Sequence, residues 1–356
     1  MALSSAPLSD SLALDADLGE APAANERELA LAVAAAIRGH IEKTYPPGKR
    51  PVRRDAHPKA HGCVRAEFRV NADLPPRFAH GVFVPGAAYQ AWIRFSNGSG
   101  DPTRADSKGD ARGMAIKLLG VPGEKVLPEE RGETTHDFVM IDHPIFVVDD
   151  PRRYLTLVQR SNSDNPLLRF VAPFALGLRG MLIARAITTK TIASPLETRY
   201  WSTTAYRLGL GNDKTAVKFS AKPCLAPTSK VPRDASPSFL REAMIAHLAE
   251  REARFDFLVQ PRTSPSMGVE ASTIAWRESD APFYKVATIT IAPQRFSSPA
   301  QDAFGDGLSF TPWHALPEHR PLGVVNRVRR VVYQELSKLR HELNAMPRRE
   351  PTAEEA

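Results

Sequence analysis

The spacing of apolar positions changes twice along the chain. NERELALAVAAAIRGHIEKTYPPG, from Asn25 to Gly48, repeats its apolar residues at helical intervals and stops at Pro46 and Gly48. That pattern predicts an amphipathic helix with a proline-glycine stop. From about 62 to 150 the runs shorten: VRAEFRV, AWIRFS, GMAIKLLG and HDFVMI are separated by Gly, Pro and Asp, as strands are. Residues 151–190 return to a helical pattern. AVKFSAK, FDFLVQP, TIAWRE and YKVATITIA then predict a second group of strands, and residues 322–345 predict a closing helix. Two strand groups around a helical insertion imply one closed or strongly curled antiparallel sheet, because separated edge strands would otherwise stay unpaired. The expected class is α+β, an antiparallel β-barrel with a helical insertion and a C-terminal helix. The expected organisation is one domain over 25–345, with disordered tails over 1–24 and 346–356.

The most apolar stretch, NPLLRFVAPFALGLRGMLIARAI at 165–187, is interrupted by Arg169, Arg179 and Arg185 and contains Pro173 and Gly177. It fails as a spanning helix, so stable membrane insertion is not expected. It reads as a buried helix pair or an apolar lid over a pocket. A hydrophobic share of 42% is enough for a real core. The net charge of +7 comes from interspersed charges of both signs, and no nucleic-acid partner is expected. Cys63 and Cys224 show no metal spacing and no CxxC, and read as reduced thiols of a cytoplasmic protein. The first twenty residues lack the basic and apolar regions of a signal peptide. GSGDPTRADSKGD follows a strand but does not lead into a phosphate-binding helix start.

Chemistry concentrates in four places. In NRVRRVVYQELSKLRHELN, Arg329 precedes Tyr333 by four residues and Arg340 follows it by seven, so all three share a helix face. This is either a solvated basic face or a phenol held beside permanent positive charge so that it ionises. The other places are RDAHPKAHGCVRAEF, IRFSNGS followed by DARGMAIK, and HDFVMIDHPIFVVDDP. Each is weak alone. Together and in this order they resemble the haem catalases. That family's pattern is met by Arg54, His57, Lys59 and Gly62. It continues with Arg94, Phe95 and Ser96, then Asp110, Arg112, Gly113, Ala115 and Lys117. Pro144, Phe146, Asp150 and Pro151 follow, and Arg329, Tyr333 and Arg340 complete it. The resemblance covers roughly residues 50–345 and is strongest to the short bacterial catalase-like proteins, the catalase-related peroxidases.

The resemblance implies a catalase-like barrel binding haem b, with Tyr333 as proximal iron ligand and Arg329 moderating its charge. It implies His57 as distal acid–base residue, with Ser96 fixing its tautomer. His61 competes for that role but lacks the arginine three residues before it. Arg54, Arg94 and Arg340 match the propionate-binding arginines, Val139 and Tyr154 match side chains against the porphyrin, and Gly113 belongs to the same cofactor-side set. At one place the chain departs from the family. Where catalases carry the distal asparagine, this chain has Ile141 under strict alignment, or Asp142 under a shift of one. Asp142 is therefore a candidate catalytic carboxylate, and the missing amide counts against efficient disproportionation of hydrogen peroxide. The expected activity is reduction of hydrogen peroxide or organic hydroperoxides with an electron donor, by a monomer or homodimer. The alternatives are a fatty-acid hydroperoxide isomerase or lyase of the allene oxide synthase type, and a non-catalytic barrel that binds haem or lipid.

Overall fold

Alternation along the predicted strands closes a barrel in the computed structural model, which describes residues 13–355. The strands are β1 (Ala60–Val70), β2 (Ala88–Asn97), β3 (Arg112–Leu118), β4 (His136–Ile141), β5 (Tyr200–Trp201), β6 (Tyr206–Leu208), β7 (Thr215–Pro223), β8 (Ala253–Pro261) and β9 (Tyr284–Ile291). Their order is β5-β4-β3-β2-β1-β9-β8-β7-β6, and a further β5–β7 pairing closes eight of them into a ring with β6 outside it. All ladders are antiparallel. The barrel interior is filled with side chains. Phe68, Phe83, Phe138, Phe219 and Phe257 stack there with centroids 4.7–6.5 Å apart. A ligand must therefore bind outside the barrel.

The helices are α1 (Glu26–Thr44), α2 (Pro151–Ser161), α3 (Pro166–Val171), α4 (Gly177–Thr188), α5 (Phe239–Glu250), α6 (Pro299–Gly307) and α7 (Val324–Asn344). The apolar positions of α1 that recur at helical spacing, Ala30, Val33, Ala34, Ile37 and Ile41, are buried. They pack against Val328, Val331, Val332 and Leu339 of α7 and Val158 of α2 in a second core. This helical layer lies over the outer face of β2, β3 and β4.

Several expectations are corrected. TIAWRE is not a strand, since no ladder includes 273–278. Instead Gln260 donates to the Trp276 carbonyl at 3.1 Å, and Trp276 lies under Lys218 at 5.0 Å. Of the expected N-terminal tail, 1–12 lie outside the described residues, whereas 13–24 are docked. Leu18 joins a core cluster, Asp15 pairs with Lys214 at 2.6 Å, and Glu20 pairs with Arg327 at 2.8 Å. The expected C-terminal tail is anchored too. Glu350 is 8% exposed and accepts from Lys117 at 2.6 Å. Lys117 is fully buried on the outer face of β3, and a buried ammonium needs carboxylates around it. Asp137 at 2.8 Å and Glu350 provide them. The apolar stretch at 165–187 is neither a buried pair nor a pocket lid. It breaks into α3, a tight turn at Ala172–Leu176 and α4, and most of its large apolar side chains face solvent.

Candidate active site

Strand register builds one wall of the site. Ser96 lies opposite Gly113, and Gly113 opposite Ile141; Arg94 lies opposite Ala115, and Ala115 opposite Val139. Side chains alternate across a sheet, so these two rows share the outer face while Phe95, Met114 and Met140 belong to the barrel core. Between this wall and the helical layer is a cavity of about 290 Å³. Arg54 and His57 from the segment before β1 reach it, as do Ile37 and Ile41 of α1. Tyr154 of α2 and Val328, Arg329, Tyr333 and Arg340 of α7 close the other side. The helical offsets thus bring Arg329, Tyr333 and Arg340 to one lined space, and His57, Ser96, Gly113, Val139 and Tyr154 share it.

His57 is held from several directions. Its φ of 61° is left-handed, an uncommon conformation without glycine. Its Nδ1 lies 3.0 Å from the Ser96 Oγ. Gly113 is glycine for a local reason: a Cβ there would stand 2.7 Å from the imidazole and 2.9 Å from that hydroxyl. Burial, and then Arg94, Arg329 and Arg54, push the His57 pKa down to about 4. The ring is therefore neutral at pH 7, with its titration well below the ordinary histidine range the sequence suggested. His61 is fully buried outside the cavity, where its Nε2 lies 2.9 Å from the Asn97 Oδ1.

Three guanidiniums gather at one edge. Arg54 and Arg94 approach the Asp306 carboxylate at 3.6 and 3.5 Å. Arg340 donates to the Leu308 carbonyl at 3.0 Å and the Ser309 hydroxyl at 3.1 Å. Burial, followed by mutual repulsion, holds Arg54 well below its usual value, and the same causes bring Arg340 down to about 10. Arg94 is also held low, chiefly by burial, and its Nε and Nη2 are buried without a hydrogen-bond partner. Three cations with one half-exposed carboxylate leave about two positive charges uncompensated, and the orphaned nitrogens face that deficit. A dianion with two carboxylates, such as the haem the resemblance implies, fits this edge. A phenol in the same cavity fits a hard ferric ion.

Two expectations do not survive the geometry. Asp142 is 2% exposed and does not line the cavity. It accepts from the Arg112 backbone N–H at 2.7 Å and lies 3.1 Å from the Lys190 ammonium, so it secures the end of β4. Ile141 takes the cavity position, and among the described residues no asparagine or glutamine lines the cavity. Arg329 does not bond the Tyr333 phenol. It reaches the Thr204 Oγ1 and Asn326 Oδ1 at 3.5 Å and lies over the Phe146 ring at 5.0 Å. Sequence reasoning missed Asp55, which lines the cavity and whose carboxyl burial pushes up, along with Ile37, Ile41, Phe310 and Leu336. Asp55 sits between Arg54 and His57, so proximity to that motif was a usable signal. The others come from distant segments and carried none.

The catalase family model matches residues 47–168. A catalase-related peroxidase from Mycolicibacterium paratuberculosis is 29% identical over 265 residues, covering 72% of this chain and 79% of that protein. A fungal catalase structure superposes with a TM-score of 0.63 at 16% identity over 83% of this chain and 62% of its own. Catalase A from Saccharomyces cerevisiae gives 0.60 at 17% identity, over 83% of this chain and 64% of its own. The chain thus spans less than two thirds of either solved catalase. A family match over the His57 and Ser96 motifs, a related peroxidase along most of its length and a shared closed barrel agree: this chain is similar to the catalases in sequence and in fold.

Proposed function

We propose that this protein is a haem-dependent peroxidase of catalase-like type that reduces hydrogen peroxide or organic hydroperoxides, with Tyr333 as the iron ligand. The observation that carries this reading is the sharing of one cavity by the His57–Ser96 pair, Tyr333 and the under-compensated Arg54, Arg94 and Arg340. The 29% identity to a catalase-related peroxidase supports the same class of reaction. Bound haem supplies the iron-centred electron transfer that breaks a peroxide O–O bond. Arg54, Arg94 and Arg340 hold the two propionates, since guanidinium–carboxylate pairs can be bidentate. With Nδ1–H donating to the Ser96 Oγ, the His57 Nε2 carries a free lone pair. It accepts the proton from the inner peroxide oxygen and returns it to the outer one, so that water or an alcohol departs. The neutral ring at pH 7 is the form this first transfer needs. Tyr154 and Val139 line the walls that would flank the porphyrin.

Ile141 gives the reaction its bias. Disproportionation needs a second peroxide oriented in the same pocket, and among the described residues no side-chain amide lines it to do so. Reduction by an external electron donor therefore exceeds oxygen release, and organic hydroperoxides serve at least as well as hydrogen peroxide. The deciding experiment loads the wild type and Tyr333→Phe with ferric haem and records visible spectra and haem affinity. Loss of tight binding, or of tyrosinate features, is expected in the variant. Identical spectra and affinity would remove Tyr333 from the iron. Product analysis with a fatty-acid hydroperoxide separates the peroxidase, which yields the alcohol only with a donor present, from an isomerase, which needs none.

A further inference from the structure

The helical stretch that follows α2 leaves its apolar side chains in water. Leu167, Phe170, Phe174, Leu178 and Leu182 are 60–75% exposed, and they recur every three or four residues. Soluble monomers rarely expose contiguous apolar surface on this scale without a partner for it. Arg169, Arg179 and Arg185 are exposed among these residues, and no Asp or Glu occurs between Asn165 and Lys190. We propose that α3, the turn after it and α4 form a docking element for the surface of an anionic phospholipid bilayer. The apolar side chains enter the boundary between headgroups and acyl chains, and the arginines meet the lipid phosphates.

Charge selects this occupant over a second copy of the chain. A two-fold contact through this face would set arginines against arginines with no carboxylate within the face to meet them. The geometry also selects lying on the membrane over crossing it. Pro166–Thr188 is apolar and long enough to span, and only 22% of its window is buried. However, α3 ends at Val171, Gly177 turns the chain with a φ of 69°, and α4 has 12 residues. Twelve helical residues rise about 18 Å, short of a hydrocarbon core of about 30 Å. Short apolar helices with basic residues among them suit the interfacial plane. The element also adjoins the cavity wall. Arg153 of α2 reaches the Leu176 carbonyl at 3.5 Å, and the Val147 carbonyl packs where a Cβ of Gly180 would be, at 2.8 Å. Docking therefore brings the Val148–Tyr154 flank of the cavity close to the bilayer. The docking itself does not depend on the chemistry inside the cavity.

The test is co-sedimentation of the full chain with vesicles of phosphatidylcholine alone and of phosphatidylcholine mixed with phosphatidylglycerol. Binding is expected to the mixed vesicles, weakened by added salt because screening shortens the reach of the arginines. Replacing Arg169, Arg179 and Arg185 by glutamine should weaken it about a hundredfold, at roughly fivefold per charge. Leu178→Glu with Leu182→Glu should abolish it; these positions are exposed, so thermal melts should match the wild type, and the arginine variant serves if they do not. Absence of binding to mixed vesicles would overturn the proposal, as would equal binding of the wild type and the well-folded glutamate variant. A wild-type dimer that the glutamate variant splits, with no vesicle binding, would assign the face to a second copy and also overturn it.

Discussion

Gly113→Ala is the smallest change that reaches the His57 ring. Its new Cβ would stand 2.7 Å from both Cε1 and Nδ1 of His57 and 2.9 Å from the Ser96 Oγ. Ordinary carbon contacts fall near 3.5–4.0 Å, so the ring and the hydroxyl must separate from the new methyl by roughly 1 Å. The neighbours cannot yield cheaply: the imidazole is rigid, its backbone sits at φ 61°, and Ser96 lies within a barrel strand. The 3.0 Å Nδ1···Oγ bond cannot be kept through that shift. Losing it costs about 1 kcal/mol, and overpacking a tight site costs about 1–3 kcal/mol. The sum of about 2–4 kcal/mol, against an unfolding entropy of roughly 0.75 kcal/mol/K for a chain of this length, lowers Tm by about 3–5 °C. The effect on turnover is larger, because a misplacement of about 1 Å costs about 10²-fold. The assay is kcat/KM for an organic hydroperoxide with an electron donor, on enzyme whose haem content is measured first. Ser96→Ala, which removes the bond without the clash, should lose less. If Gly113→Ala kept its kcat/KM while its Tm fell as expected, the position of the His57 ring would not govern the reaction.

Further outcomes follow from the same geometry. His57→Ala should keep haem and lose about 10²–10⁴-fold in turnover, whereas His61→Ala should change stability more than turnover; the reverse order would displace His57 from its role. Ile141→Asn restores an amide to the cavity wall and should raise oxygen release from hydrogen peroxide relative to donor-dependent reduction; an unchanged ratio would discount the missing amide. Glu350→Gln should cost about 1.5–3 kcal/mol at neutral pH by removing one of the two carboxylates on buried Lys117, Asp137 remaining. Burial opposes ionisation of Glu350, but Lys117 and His314 outweigh it and bring the carboxyl from 4.5 down to about 2. The unfolded chain takes up that proton first, so the stabilisation is full above pH 4.5 and is lost as pH falls toward 2. Urea midpoints measured across this window should fall steeply in the wild type and less in the variant; parallel curves would refute the assignment.

The sequence by itself determined the local elements and carried the resemblance to the catalases. Helical period in α1 and α7 and alternation in β1 to β4 are properties of adjacent residues, so they were legible without the fold. The offsets among Arg329, Tyr333 and Arg340 placed those side chains on one face because a helix has one period. The motif order around Arg54, His57, Arg94 and Ser96 carried the family resemblance. Other features depended on partners far along the chain. TIAWRE has strand composition, yet its backbone is bonded by the Gln260 side chain and not by a ladder. The two tails have the composition of disorder, but Glu20 and Glu350 are held by buried cations 300 and 233 residues away at Arg320 and Lys117. Asp142 looked as available as Ile141 because they are neighbours in sequence. Register decided between them: with Gly113 opposite Ile141, alternation turns Ile141 to the cavity and Asp142 away to Lys190. The charge deficit at Arg54, Arg94 and Arg340, the pKa of His57 and the exposure of α3 and α4 were likewise decided only by tertiary structure, because burial and proximity between distant segments are not local properties of a chain.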